Sequence, residues 1–277
     1  MLADVAALLR CPQCPEDDES ALVLERRTLR CPRGHSFDVA KQGYVNLLGA
    51  AVPHHADTAA MVAARDRFLG SGAYAPIRDA LRARVHPVEP DDAGRPLTVL
   101  EAGAGTGYYL AGALGERDRG LALDISPAAA RRAARAHPRI GAVVADTWAG
   151  LPVRSGTVDV LLAVFAPRNP AEFARVLCPQ GRALVVAPLP DHLAGLREAL
   201  GLLEIEADKE AHLLARMAGY LVPDGHTDIR FSLRLTEAAV ADLVGMGPNA
   251  FHDRSGEAGP LPDEVGVAVR LWEFITA

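Results

Sequence analysis

From Leu97 onward the chain alternates short apolar runs with alanine-rich amphipathic stretches. Thr98–Glu101, Gly120–Asp124, Gly141–Asp146, Val158–Phe165 and Arg182–Pro188 have the length and composition of strands. Between them, Thr106–Leu114, Pro127–Ala136, Pro170–Leu177 and Asp191–Leu200 are expected to be helices. Such alternation predicts a parallel sheet covered by helices on both faces. Near the C-terminus, Thr227–Leu235 and Gly266–Thr276 alternate like two paired strands, with a helix at Glu237–Gly245 between them. Upstream, Ala60, Met61, Ala64 and Phe68 recur at helical spacing within Thr58–Leu69. Gly70-Ser71-Gly72 stops that helix, and a second is expected over Tyr74–Val85. Pro87–Pro96 is a linker, and Gly49–Asp57 a hinge or binding loop. Residues 1–49 are turn-rich, carry cysteines and end on the apolar stretch Tyr44–Leu48. Three segments result: 1–49 a small cysteine-bearing module, 50–96 a helical linker region, and 97–277 an α/β domain.

At 277 residues and 49% hydrophobic content, a core of ordinary size can be buried. No apolar run approaches the roughly 18 residues of a membrane span, and Leu2–Leu9 is too short for a signal peptide, so a cytoplasmic location without a membrane partner is expected. The net charge of −6 argues against indiscriminate binding to polyanions. Locally the balance differs: Arg26, Arg27, Arg30, Arg33 and Lys41 face a single acid, Asp38, within 16 residues. This patch is either a phosphate contact or a solvated face.

The first chemistry-bearing motif is Cys11-Pro-Gln-Cys14, followed by Cys31-Pro-Arg-Gly-His35. Two short knuckles place three thiolates and one imidazole where a tetrahedral Zn2+ can collect all four. Four protein ligands leave no position for water, so the metal is expected to be structural. Its removal should unfold residues 1–49 while the sheet persists. Cys178 is distant in sequence and reads as a packed thiol.

The second motif is Val99-Leu-Glu-Ala-Gly-Ala-Gly-Thr-Gly107, a strand and an acid followed by a GxGxG loop that opens a helix. Gly103, Gly105 and Gly107 let the backbone approach a ligand closely. A GxGxxG loop would suit a dinucleotide. The third glycine comes one residue early, the form associated with methyltransferases, which favours S-adenosylmethionine over NAD. Glu101 is then expected near the methionine end, facing the ammonium group. Asp124 closes the next strand, where a carboxylate can accept both ribose hydroxyls, and Asp146 closes the third, near the adenine amino group. Val164-Phe165-Ala-Pro-Arg-Asn-Pro170 closes the fourth strand. It lacks the Asn/Asp-Pro-Pro-aromatic motif of many amino-group methyltransferases. Phe165 is either a platform for a substrate base or a core residue.

These residues together resemble the RlmA/RrmA family of 23S rRNA guanine-N1 methyltransferases, with the tylosin-resistance branch closest. The resemblance runs from Cys11-x-x-Cys14 through Cys31-x-x-x-His35-x-Phe37-Asp38-x-Ala40-Lys41-x-Gly43-Tyr44-Val45-Asn46-Leu47-Leu48. It continues in Met61-x-x-Ala64-Arg65, Gly72-x-Tyr74-x-Pro76, the glycine loop, Phe165–Pro170, Pro190-x-His192-Leu193 and Met246-Gly247-Pro248. It implies a class I (Rossmann-like) methyltransferase sheet with an N-terminal zinc ribbon, and zinc on Cys11, Cys14, Cys31 and His35. It also implies cofactor contacts from Tyr74, Gly105, Thr106 and His192. Neither Tyr74 nor His192 follows from periodicity, since a Tyr at a helix start and a His on an amphipathic helix are usually structural. The implied substrate is a guanine in a 23S rRNA hairpin beside the peptide exit tunnel, whose methylation weakens macrolide binding; homodimers also occur.

Two competing readings remain at this point. A methyltransferase of a small metabolite fits the near-neutral N-terminal third, with 12 basic and 13 acidic residues across 1–95. A non-catalytic RNA-binding protein fits the ribbon, but not the complete glycine loop with Asp124.

Overall fold

The computed structural model describes residues 2–15, 19–49, 56–86, 95–202, 209–247 and 261–276. The linker expected over Pro87–Pro96 and the loop before Asp57 lie largely outside the described residues, as does Pro248 of the last motif. A short helix α1 (Leu2–Val5) and a 3-10 turn (Ala6–Leu8) lead into three short strands, β1 (Val23–Glu25), β2 (Thr28–Arg30) and β3 (Ser36–Asp38). These form one antiparallel ribbon, β1-β2-β3. Strand β4 (Tyr44–Asn46) follows, then helices α2 (Ala59–Gly70) and α3 (Ala75–Val85). Next come β5 (Thr98–Ala102), α4 (Tyr108–Ala113), β6 (Arg119–Asp124), α5 (Pro127–Ala136), β7 (Ile140–Val144), β8 (Val158–Val164), α6 (Pro170–Val176) and β9 (Leu177–Pro188). Helices α7 (Ala194–Leu200) and α8 (Lys209–Met217), strand β10 (Leu221–Leu233), helix α9 (Glu237–Gly245) and strand β11 (Val265–Thr276) complete the chain.

The main sheet has the order β10-β11-β9-β8-β5-β6-β7-β4. Strands β4 to β9 within it are parallel, while β11 and β10 pair antiparallel at one end. The chain winds β5-β6-β7 to one side and then returns past β5 to β8. The order therefore reverses between β5 and β8, where a crevice opens at the carboxyl ends of the strands.

Alternation explains why these strands are apolar throughout. Leu100, Leu121, Leu123, Val143, Leu161 and Val185 face one core with Phe173 and Val176 of α6 and Leu213 and Met217 of α8. Val99, Ala122, Ala142, Val160, Leu162 and Val186 face the other with Ile77 and Leu81 of α3, Leu110 of α4 and Leu243 of α9. Side chains of opposite parity enter opposite cores, so both faces must be hydrophobic.

The fold departs from the sequence-based expectations in three places. Strand β4 pairs with β7 in register Tyr44↔Ala142, Val45↔Val143, Asn46↔Val144, so residues 1–49 share the main sheet. The ribbon's Leu22, Leu29, Cys11 and Cys31 belong to the same core as Leu121 and Val143. Arg10 N–H also donates to the Pro152 carbonyl (3.1 Å), and Ser155 donates to Glu19. Helix α8 is an element the periodicity does not reveal, and it carries the buried Leu213 and Met217. Finally, β7 ends at Val144 and not at Asp146, α4 begins after Gly107, and α7 begins after a left-handed Leu193 (φ 56°).

Candidate active site and metal centre

In the ribbon, the ligand atoms of Cys11, Cys14, Cys31 and His35 all lie within 4.8 Å of one another. Cys14 Sγ is 3.4 Å from Cys31 Sγ, and His35 Nδ1 is 3.5 Å from the sulfurs of both Cys11 and Cys14. A tetrahedral Zn2+ with bonds of about 2.3 Å to sulfur separates its ligands by roughly 3.8 Å, so the donor set and its spacing fit zinc. The two knuckles hold this geometry through backbone turns, Cys14 N–H to Cys11 C=O and Gly34 N–H to Cys31 C=O. Cys178 stands apart and donates to Asp159 (3.2 Å).

The five basic residues between Arg26 and Lys41 are exposed. Arg27 is engaged locally: its Nη2 donates to the carbonyls of Val39 and Ala40, which ties the β1–β2 turn to the segment before β4. Arg30 pairs with Glu25 across the hairpin (2.8 Å).

A cavity of about 670 Å3 opens at the switch point, within the ~300–1,000 Å3 usual for ligand pockets. Its lining includes Tyr74, Glu101, Gly103, Gly105, Thr106, Asp124, Asp146, Phe165 and His192. Positions far apart in the sequence are thus brought together; Gly107 is set back as the left-handed N-cap of α4. No described residue of 1–49 lines this cavity.

Two glycines are required by geometry. Gly103 has φ +73°, and a Cβ there would lie 2.6 Å from Ala166 Cβ in the loop after β8. Gly105 has φ +54°, and a Cβ would meet Arg65 Nη1 at 3.1 Å. The loop therefore hugs both neighbours while lining the crevice with backbone.

Glu101 is 1% exposed, and its Oε2 accepts from Leu110 N–H (3.1 Å). Burial pushes its carboxyl up to about 8, with the charge on Asp124 adding to the rise. Asp124 Oδ2 accepts from Gly105 N–H (2.7 Å) and Oδ1 from Ser126 N–H (2.8 Å). Burial raises its carboxyl above the usual range, against the pull of those two amides. Asp146 lies two residues past β7, where Oδ1 accepts from Trp148 N–H (2.8 Å).

Tyr74, His192 and Phe165 form an aromatic cluster on the cavity wall. Ring centroids stand 6.2 Å apart for Tyr74–Phe165, 6.0 Å for Phe165–His192 and 6.4 Å for Tyr74–His192. His192 is buried, and burial lowers its pKa to about 4. Its Nδ1 accepts from Ala268 N–H (3.3 Å), so the neutral ring carries its proton on Nε2 as a donor. Phe165 is 41% exposed and sits in the left-handed region (φ 52°), so it is a cavity-mouth residue and not part of the core.

Arg65 stands out in the sequence only as part of a family motif, and the fold shows why it matters. Its guanidinium sits over Gly105, pairs with Asp57, and donates through Nη2 to the Met246 carbonyl 181 residues away (2.7 Å). Asp57 is held in turn by Ser126 Oγ, which donates to its carbonyl (2.7 Å). Helical spacing alone carries no sign of this, because the partners come from distant segments.

Residues 9–54 match the profile of the RlmA N-terminal zinc ribbon, and residues 100–185 match a methyltransferase domain. A Streptomyces fradiae protein named 23S rRNA (guanine(748)-N(1))-methyltransferase is 46% identical over 259 residues, covering 93% of this chain and 90% of that protein. The chain belongs to the RlmA-type 23S rRNA (guanine-N1)-methyltransferase family. A second member, from Micromonospora griseorubida and provisionally named for the same activity, is 48% identical over 264 residues, covering 91% of this chain and 90% of its own. Among solved structures, a chain of the complex between the Haloferax volcanii Trm112 methyltransferase activator and a methyltransferase shares the fold. It has 20% identity and a TM-score of 0.51, and the match covers 77% of this chain and 93% of that one. Family membership makes S-adenosylmethionine the cofactor and the ribbon metal a structural zinc, and the buried acids and four clustered ligands described above fit both.

Proposed function

We propose that this enzyme transfers a methyl group from S-adenosylmethionine to N1 of a guanine in 23S rRNA, in a hairpin loop of domain II, and thereby weakens macrolide binding. The observation that carries the reading is the convergence of Glu101, Gly103–Thr106 and Asp124 on one cavity whose mouth is marked by an exposed Phe165. Bound S-adenosylmethionine supplies an electrophilic methyl group on sulfur.

The protein's own residues supply position. Glu101 would hold the ammonium group, which would make its ionisation favourable again after burial had opposed it. Asp124 keeps lone pairs for the ribose hydroxyls while its two amide bonds fix its rotamer. Asp146 would hold the adenine end, and Tyr74 and His192, which line the same cavity, would contact the cofactor. The target guanine unstacks from its loop and lies on Phe165, which is easier for a loop base than for a paired one. N1 gives up its proton to solvent at the open mouth as it attacks, so the rate gain comes mainly from in-line placement. The exposed ribbon face with Arg26, Arg30 and Lys41 grips the hairpin backbone outside the cavity. No helix among the described residues is long and apolar enough to cross a membrane, and we infer action in the cytoplasm, where ribosomes mature.

The test is transfer of a labelled methyl group to unmodified 23S rRNA, with the site mapped by primer extension. N1-methylguanine blocks base pairing, so a single strong stop is expected within a domain II hairpin loop. Label on small metabolites and none on RNA would reject the reading.

A further inference from the structure

Beyond Phe165, the cavity wall is continued by Trp148, which is 51% exposed. Its backbone is pinned on both sides. Trp148 N–H donates to Asp146, and the carbonyls of Thr147 and Trp148 accept from Asn169 Nδ2 (3.2 and 3.4 Å). Asn169 is itself the N-cap of α6, accepting from Glu172 N–H (3.4 Å). A large ring held in solvent by a rigid loop is preorganised for a partner, because binding it costs little ordering entropy.

The partner's chemistry follows from the neighbours. The Arg216 guanidinium, on α8, lies 5.2 Å from the Trp148 ring centroid. Arg216 also donates to the carbonyl of Arg168 (3.4 Å), which brings the two arginines together. Burial, and then the charge of Arg216, depress the Arg168 pKa, and its buried Nε has no hydrogen-bond partner among the described residues. No acid among the described residues pairs with either guanidinium. Two adjacent like charges with no counterion among the described residues, beside an exposed aromatic face, suit an aromatic base joined to a phosphate.

We propose that Trp148, Arg216 and Arg168 form a nucleotide subsite next to the target-base pocket. Trp148 stacks the base that adjoins the methylated guanine on the ring face not covered by Arg216. Arg216 takes the intervening phosphate, and Arg168 adds its charge from beneath. By capturing the neighbouring nucleotide, the subsite keeps the target guanine unstacked. The subsite presupposes the rRNA substrate proposed above, and it adds a contact outside the ribbon, where Trp148 continues the wall of the cofactor cavity.

The test uses the zinc-loaded full-length enzyme and a transcribed 23S rRNA domain II fragment. In R216A and W148A, KM for the RNA is expected to rise about tenfold, with kcat changing less. R216A should keep the wild-type affinity for S-adenosylmethionine and reduce the salt dependence of RNA binding by about one phosphate contact. W148F should recover most of the W148A loss, since a phenyl ring still stacks. Trp148 and the buried Trp272 are the two tryptophans, so RNA should quench wild-type emission and leave that of W148F unchanged. Unaltered KM and salt slope in R216A and W148A, in an enzyme that methylates the fragment, would overturn the subsite. A wild-type enzyme that leaves RNA unmethylated overturns the parent reading instead, and the subsite with it.

Discussion

Glu101→Gln removes one ionisable group from the centre of the site and keeps the shape. Glu101 is fully buried, its pKa is raised to about 8 from an ordinary 4.5, and burial is the main cause. A folded-state pKa above the unfolded one means that the unfolded chain releases its proton first. Folding is therefore opposed as pH rises, by ~1.4 kcal/mol for each pH unit between 4.5 and about 8. The carboxyl's contribution is most favourable below pH 4.5, has weakened by ~3 kcal/mol at pH 7, and levels off at ~5 kcal/mol above pH 8. Glutamine keeps an oxygen for Leu110 N–H and does not titrate in this range. Urea unfolding of cofactor-free wild type and E101Q should be measured at half-unit steps from pH 5 to 9. The E101Q minus wild-type difference cancels the titrating groups that do not interact with Glu101, including His192, whose depressed pKa gives the opposite slope between pH 6.5 and about 4. That difference should grow in favour of E101Q by ~4 kcal/mol across the range. S-adenosylmethionine binding should weaken at least tenfold in the same variant, because a buried ammonium loses its counter-charge. Parallel stability curves would refute the argument, since they would mean that the carboxyl ionises in the fold as freely as in the unfolded chain.

Other expected outcomes follow from the same geometry. Gly103→Ala introduces a Cβ 2.6 Å from Ala166 in left-handed backbone, and should cost roughly 2–4 kcal/mol by thermal melting and abolish cofactor binding in calorimetry. Chelation should release one zinc per chain; hydrogen exchange should then rise throughout the ribbon and also at Ala142–Val144, because β4 pairs with them. Protection of that edge strand left unchanged would show that β4 holds without the metal. Replacing Arg26, Arg30 and Lys41 together with Ala should lower RNA affinity and flatten its salt dependence by two to three contacts, with cofactor affinity intact, as a filter-binding salt titration would report. Phe165→Ala should raise KM for RNA by about tenfold through lost stacking and leave the affinity for S-adenosylmethionine within twofold.

Much of the site is legible in the amino-acid sequence. The two cysteine knuckles, the glycine loop and the acids at the ends of successive strands each depend on residues a few positions apart, whose spacing follows directly from turn and strand geometry. Parity along the strands likewise implies a sheet covered on both faces. Asp146 reaches the cavity although its strand stops at Val144, because the loop carries it to the same rim. The separateness expected of the metal ribbon does not hold: Tyr44–Asn46 carries too short an apolar signal to reveal that it pairs with a strand almost a hundred residues later. Helix α8 escapes a reading by periodicity because it lies between segments without a strong apolar period, although its Leu213 and Met217 complete one core.

Local covalent spacing thus suffices for the metal ligands and the cofactor loop, since each such motif closes within one turn. The pairing of Arg65 with Asp57 and Met246, the tautomer of His192, the outward turn of Phe165 and the meeting of Arg168 with Arg216 beside Trp148 all depend on side chains from distant segments. Burial and mutual orientation set their chemistry, and both come into being only when the two cores pack against the sheet.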